Sequence, residues 1–444
     1  MSSWKQVRFS EICDITRGGS PRPIQEYMTN DGVPWIKISD ATASNSRFIE
    51  KTKEFIKTSG ISKSREVFPD DLILSNSATP GIPKFMRIYA CIHDGWLLLR
   101  NFNGAEKEFI YWLLLNERDK LIQQGNGSVF TNLKTDILKN HIVNIPDDIE
   151  EQKRIATILN NIQEKIELNT QINQTLEQIA QTIFKSWFID FDPVHAKANA
   201  LASGQTLEQA TQAAMAVISG KNTQELHRLQ TANPEQYQQL WEIAEAFPSG
   251  FSGYKNLGEI PIGWNVLTFK DFISESKEKI GSLEDVPEYS VGNEGIYPRS
   301  EKYNKSLSKT PEKNKVVRIG DLVFGMGSKT LNWGIMNDEI GSVSPAYFVY
   351  RIFTNINYIY LNKYIKAKEY DFQNLIKPTS RQGQSVDKEM FLKKEIYVPN
   401  EYLLNIYLNK LKEIDSLVYS YTTEVLILEQ IRDELLPKLL SGEI

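Results

Sequence analysis

The stretch IPDDIEEQKRIATILNNIQEKIELNTQINQTLEQIAQTIFKSWFI, Ile145 to Ile189, decides the fold. Within it Ile155, Leu159, Ile162, Ile166, Asn169, Asn173, Leu176, Ala180, Ile183 and Trp187 recur at alternating steps of four and three. That spacing keeps one seam of a helix turned toward a partner helix. The start is marked as well: Pro146 precedes, Asp148 is placed to accept from the amide of Glu151, and Glu151 can reach back, which predicts a capping box. At about 1.5 Å per residue the span is on the order of 60 Å, too long for the core of one compact domain, so it reads as a spacer rod. The two seam asparagines either pair across a partner helix and fix its register or lie at the wet edge.

Outward from the rod, the chain of 444 residues has room for two or three domains, with 41% hydrophobic and 24% charged residues, ordinary for a soluble globular protein. Its two cysteines, Cys13 and Cys91, form no CxxC pair, so neither a disulfide framework nor a structural zinc site is expected. The N-terminus MSSWKQVRFSE has no apolar h-region and no apolar run is long enough to span a bilayer, which predicts a cytoplasmic protein with no membrane partner.

The net charge of −5 is unevenly divided. Residues 1–145 hold 19 Lys/Arg against 16 Asp/Glu, and residues 251–398 hold 21 against 18, about +3 each. Residues 146–195, 196–250 and 399–444 carry the acid, about −11 together. Two mildly basic globules separated by acidic helices permit a phosphate-facing surface without demonstrating one.

Residues 1–145 read as an α+β domain of short strands. Trp4 to Ile15 opens it, followed by the turn TRGGSPRP (Thr16 to Pro23), a turn at Asn30 to Pro34 and the strand-like WIKIS from Trp35. A strand in VFPDDLILSNS leads into a Gly/Pro-interrupted loop from Ser75 to Lys84. A helix is predicted from Lys107 to Gln123, burying Phe109, Trp112, Leu113 and Leu115.

The same order returns after about 250 to 260 residues. Trp4, Phe9 and Ile12 have counterparts in Trp264, Phe269 and Phe272; VFPDDLILSNS from Val67 is answered by VVRIGDLVFGMGS from Val316; QGNGSV from Gln124 by QGQSV from Gln382; and NHIVNIP by KEIYVP. After Pro399 a second long helix follows, with Asn400 as its cap and a seam of Tyr407, Leu411, Ile414, Val418, Tyr421, Val425, Leu428, Arg432 and Leu435. Each half is a globule followed by a rod. The rods either pack on their own domains as ordinary amphipathic helices or, favoured by the length of the seams, pair with each other. A duplication closing on a pseudo-two-fold makes paired rods antiparallel, with a globule at each end. The expected fold class is therefore α+β, two globules with short mixed strands separated by two antiparallel helices forming a coiled-coil spacer. Residues 196–250 are Ala/Gln-rich with no equivalent in the repeat, and read as a helical insertion and linker.

Catalytic motifs are missing. FGMGSKT from Phe324 lacks the adjacent Gly-Lys of a phosphate-binding loop, and the acids of PDDIEEQK are explained by helix capping. His93, His141, His195 and His227 are scattered without ligand or triad spacing. What remains is a binding surface. Loops of the first globule carry Arg17, Arg22, Lys37, Asn76, Ser77, Lys84, Asn126 and Ser128, and those of the second Arg299, Ser328, Lys329, Asn332, Arg381, Gln382 and Gln384. Arg and Lys bridge guanine edges or neutralise phosphate, Asn and Gln bond adenine edges, and glycine turns let a backbone approach closely.

The repeated globule and rod, the EEQKRIA string from Glu150, the WFIDFDPV run from Trp187 and the ending IRDELLPKLLSGEI from Ile431 resemble the specificity subunit of type I restriction-modification systems. RGGSPRP from Arg17 also resembles the glycine-proline turn near the start of that family's target-recognition domains, whereas the second globule has SESKEKIG there. The resemblance implies target-recognition domains at 1–145 and 251–398, spacer helices at 146–195 and 399–444, and the insertion between them. It further implies that each domain reads half of a split site in double-stranded DNA and that the rods fix the gap. Two methyltransferase subunits would dock and supply S-adenosylmethionine, with none bound by this chain, and a motor-nuclease subunit would join for restriction. The rival readings are a coiled-coil scaffold without DNA readout and a specificity subunit serving a methylation-only defence complex.

Overall fold

With neither proline nor glycine between Glu150 and Phe188, nothing interrupts the first long helix, Ile149–Phe188. The second, Glu401–Ser441, meets its one proline, Pro437, only in the last turn and a half. The computed structural model describes residues 3–43, 46–124, 132–254, 256–293, 295–301, 310–326, 331–378 and 384–444. The chain divides into two units, Met1–Thr175 with Ser416–Ile444, and Leu176–Asp415.

The cap of the first rod differs from the predicted box. Asp148 accepts from the Glu150 amide at 3.0 Å, while Glu151 does not reach back but binds Arg154 through two bonds of 2.9 and 2.8 Å. A charge-assisted fork one turn along outcompetes a bond to a neutral amide. Gln152 fastens the helix start to the globule, accepting from Glu106 N and donating to the carbonyls of Gly104 and Pro146.

In the first unit the start of one rod lies against the end of the other. Ile155, Ala156 and Leu159 share a core with Leu435, Leu436, Leu439 and Leu440. Along the seam Gln163 accepts from Arg432 at 2.7 Å, Lys165 faces Glu424 at 3.5 Å and Asn173 donates to Thr422 at 3.0 Å. Residue numbers rise on one helix as they fall on the other, so the rods are antiparallel. In the second unit Phe184, Trp187 and Phe188 surround Tyr407 beside Leu411, again with the helices opposed. Every predicted apolar seam residue (Ile155, Leu159, Ile162, Ile166, Leu176, Ile183, Leu411, Ile414, Val418, Val425, Leu428, Leu435) is buried or half-buried. Asn173 pairs across the seam as one alternative has it, while Asn169 fits neither: it is fully buried, away from any wet edge, with neither amide atom bonded.

Both globules are built on one sheet order. In the first, strands Asp14–Arg17, Trp96–Arg100, Leu72–Ser75 and Pro83–Met86 are neighbours in that sequence; in the second, Ile273–Ser276, Phe348–Ile352, Leu322–Phe324 and Trp333–Ile335 repeat it. Entry and exit strands also match: Trp4–Arg8 pairs antiparallel with Ile142–Pro146, and Asn265–Thr268 with Glu395–Val398. The repeated Asp-Leu pair has a physical cause. Asp71 accepts from Phe68 N and from Arg100 Nε at 2.6 and 2.7 Å; Asp321 accepts from Arg318 N and from Arg351 Nε at 2.9 and 3.0 Å. One carboxylate thus closes the turn before a buried strand and ties it to the neighbouring strand's arginine, while the following Leu enters the core.

Two predicted elements differ. WIKIS is a strand only over Val33–Ile36, because Ile38–Thr42 turns helical with Asp40 accepting from the Lys37 amide. The helix expected from Lys107 to Gln123 is two, Lys107–Asn116 and Arg118–Gln124, interrupted at Glu117, whose carboxylate turns inward to His141 at 3.0 Å. The insertion forms helices Asp192–Ala202, Leu207–Ser219, Thr223–Ala232 and Pro234–Glu245, the last three around a small core of Ala214, Met215, Leu226, Leu240 and Ala244. The chain enters the insertion through Phe191 at φ 55°, a left-handed conformation rare for an aromatic, held edge-on against Trp264 and Tyr397 at 5.4 and 5.3 Å.

The Asp321 carboxylate is 1% exposed and its partner Arg351 34% exposed. Asp321→Asn should cost about 2 kcal/mol, below the range for fully buried pairs because Arg351 retains water. Urea unfolding followed by tryptophan fluorescence checks this. An unchanged midpoint would mean that the repeated Asp-Leu pair is held by the leucine alone.

Candidate nucleic-acid interface

The first globule's predicted residues separate into a cluster and an outlier. Arg17 ends the strand Asp14–Arg17, Arg22 lies in the turn beyond it, Lys37 follows the strand Val33–Ile36, and Asn76 and Ser77 follow Leu72–Ser75. The turns bring all five around Asp94. Arg17 donates from Nε to the Asp94 carbonyl at 2.9 Å, and the guanidinium groups of Arg17 and Arg22 lie 3.9 and 3.6 Å from its carboxylate. Asn76 donates to the same carbonyl at 3.2 Å, and Ser20 to the carboxylate at 2.6 Å. The Ser20 hydroxyl, ahead of the nearby charges, holds the Asp94 carboxyl below its ordinary range, so it is ionised at neutral pH. Lys37 pairs with Glu54. The two guanidinium groups stay in water: Arg17 is 60% and Arg22 82% exposed.

Glycine serves the protein's own packing here. A Cβ on Gly18 would collide with the His93 carbonyl, and one on Gly95 with the His93 ring and the Ser77 hydroxyl. The RGG turn is what lets the Arg17–Arg22 segment close on the His93–Gly95 turn.

Lys84 is corrected. It sits in the strand Pro83–Met86, not in a loop, is 5% exposed and donates to the Ser46 carbonyl. Burial pulls its pKa from 10.5 to about 8, against an upward push from Glu167. Beside it Arg47, 3% exposed, binds Glu108 at 2.8 Å and Glu164 at 3.1 Å, and the Arg47 amide donates to Glu167 at 3.1 Å. These cations anchor the globule to the first rod. Asn76, 5% exposed, likewise positions the Asp94 turn.

In the second globule Arg299 is half-buried, donating to Ser290 at 3.1 Å, and the Asn332 carbonyl accepts from Gly325 N at 2.8 Å. Asn126, Ser128, Ser328, Lys329, Arg381 and Gln382 lie outside the described residues, as does the side chain of Gln384. Sequence reasoning missed His93, Asp94, Trp35 and Ser20. The one available signal was the His-Asp-Gly turn between two apolar strands. Among the described residues no helix is long and apolar enough to cross a membrane.

His93 is buried enough that desolvation, opposed by Asp94, holds its pKa below 6.5, so the ring is neutral at pH 7. The unfolded chain then binds the extra proton first, and stability falls as pH drops below about 6.5. His93→Gln should flatten that limb of a melting-temperature profile. For contacts, Arg22→Ala should reduce the slope of log affinity against log salt by about 0.9 in the assembled complex. Lys84→Met should instead lower the melting temperature and leave the slope alone; a reduced slope would return Lys84 to the interface.

Residues 1–178 match the model of the family described as Type I restriction modification DNA specificity domain. The specificity subunit of the type I restriction enzyme HindI from Haemophilus influenzae is 31% identical over 479 aligned positions, covering 100% of both chains. The MjaIX specificity subunit of Methanocaldococcus jannaschii is 30% identical over 195 positions, 43% of this chain and 45% of its own. A solved type I restriction-modification S subunit from M. genitalium aligns over 99% of this chain and 96% of its own, with a TM-score of 0.47 and 13% identity. The end-to-end identity to the HindI subunit places the chain among the specificity subunits of type I restriction-modification systems, the non-catalytic chains that carry DNA recognition for the complex.

Proposed function

We propose that residues 1–145 and 251–398 are two target-recognition domains, each reading one half of a bipartite DNA site, and that the spacer helices 146–195 and 399–444 set the number of base pairs left unread. The observation that carries this is the repeat: one sheet order, one Asp-Arg tie and one entry-exit strand pair built twice from sequences of low identity. A duplicated scaffold with divergent loops suits two different half-sites. In the first domain we assign DNA contact to Arg17, Arg22, Lys37 and Ser77, and leave out Lys84 and Asn76. Arg299, Asn332, Ser328, Lys329, Arg381, Gln382 and Gln384, with Asn126 and Ser128, remain candidates of the same kind.

Chemistry comes from partners. Two modification subunits would supply S-adenosylmethionine and methyl transfer to adenine N6, and a motor-nuclease subunit would join for restriction, all acting in the cytoplasm. The rods support docking, since Leu426, Ile427 and Ile431 stand 58, 50 and 41% exposed on the second rod, away from its seam.

Two experiments test this reading. A heptad inserted at the middle of both rods keeps the seam and adds about 10 Å, so the gap in the recognised site should widen by about three base pairs. An unchanged gap would contradict the spacer role. Ile427→Glu with Ile431→Glu should leave the chain folded but abolish copurification of the modification subunit; undiminished copurification would move docking off this face.

A further inference from the structure

A concave site lies beside the first globule's cationic cluster. Its volume is ≈910 Å³, within the range of about 300–1,000 Å³ that small-molecule sites occupy. Its walls are mostly apolar, with Pro21, Pro23, Ile24, Trp35 and Ile38 among the lining residues. Side chains that read a major groove project outward into it and need no such hollow.

The polar groups on the wall are arranged for one planar heterocycle. His93 Nδ1 accepts from the Gly95 amide at 2.8 Å, so the hydrogen of the neutral ring sits on Nε2, which has no partner among the described residues. The hydroxyls of Ser39 and Ser77 line the same cavity without a side-chain partner among the described residues. A fixed donor beside two hydroxyls that either donate or accept matches the edge of a nucleobase. A phosphate fits less well. Asp94 is ionised on the same wall, and Arg22, the arginine that lines the cavity, is already turned to it, as is the nearby Arg17. Ala78, on the rim, is held at φ 57°, a left-handed backbone that a side chain larger than alanine makes no easier to adopt, in a loop stapled by Ser75 to Thr79 O at 2.6 Å and from Ile82 N at 2.8 Å.

We propose that this cavity receives a single unstacked base of the first half-site, so that the first domain reads one position by capture and the rest by groove contact. The inference rests on the reading of residues 1–145 as a DNA-contacting domain. It concerns a base other than the adenine that is methylated, which must reach the modification subunit. Capture of this kind is selective, because the pocket reads a whole Watson–Crick edge, and it is favoured at positions where stacking is weak.

The test uses the chain assembled with its modification subunits and duplexes carrying 2-aminopurine at each position of the first half-site in turn. Saturating complex should raise fluorescence several-fold at one position that is not the methylated adenine. Ser39→Phe, which fills the cavity from its exposed rim, should return that signal to the level of the free duplex, and Ser77→Leu should do the same from the floor, with melting temperatures confirming both folds. A gel shift on the same samples separates the failures. A duplex that binds with no pocket-dependent signal at any position overturns base capture and leaves the DNA reading standing. Binding in which the two variants lower only the salt slope makes the cavity a phosphate seat and also overturns it. Failure of the assembled complex to bind the duplex at all overturns the DNA reading and this inference with it.

Discussion

The register between the two long helices is the constraint on which everything else rests. A seam of leucine, isoleucine and valine alone tolerates a slide of one heptad with little loss, and a slide would alter whatever distance the rods define. Polar pairs forbid it. Gln163 with Arg432, Lys165 with Glu424 and Asn173 with Thr422 each meet in one alignment only. Each such pair at a partly wet seam contributes on the order of 0.2–1 kcal/mol, but a slipped register would lose all three and bury Arg432 against apolar side chains. Asn169, buried with its amide unbonded, adds a desolvation cost at the same seam.

Within the first unit, local anchors tie the globule to the rod. Gln152 binds the start of the rod helix to the Gly104–Glu106 turn, and Arg47 reaches Glu108 and Glu164 from a side chain almost wholly out of water. Trp112 adds a bond from its indole to Asn160 at 2.8 Å. Cations that look, in a one-dimensional count, like DNA contacts are thus divided between two tasks. Arg47 and Lys84 hold the domain to the rod, while Arg17 and Arg22 remain in water around Asp94. The modest +3 of each globule overstates what faces a phosphate backbone, which is consistent with a chain that recognises DNA within an assembly.

Much of this was legible in the sequence because it is local or periodic. The four-three seams, the duplication and the Asp-Leu pairs were all visible, and the structure supplies the reason for the last in Arg100 and Arg351. The misses are non-local. Glu151 was read as half of a capping box, yet Arg154 on the next turn claims it. The break at Glu117 depends on His141, 24 residues away. Lys84 was placed in a loop because Gly81 and Pro83 precede it, whereas pairing with Ile73 makes it a strand residue. The cavity was invisible because its walls come from four separate segments of the chain that only the fold brings together, and because His93 and Asp94 match no ligand or triad spacing.

Mapping methylated adenines by single-molecule sequencing, in a methylation-free host expressing this chain with its modification subunit, tests the central claim most directly. The account predicts a motif of two short half-sites around a fixed gap, present only when this chain is expressed. A contiguous motif, or the same motif with this chain omitted, would contradict it.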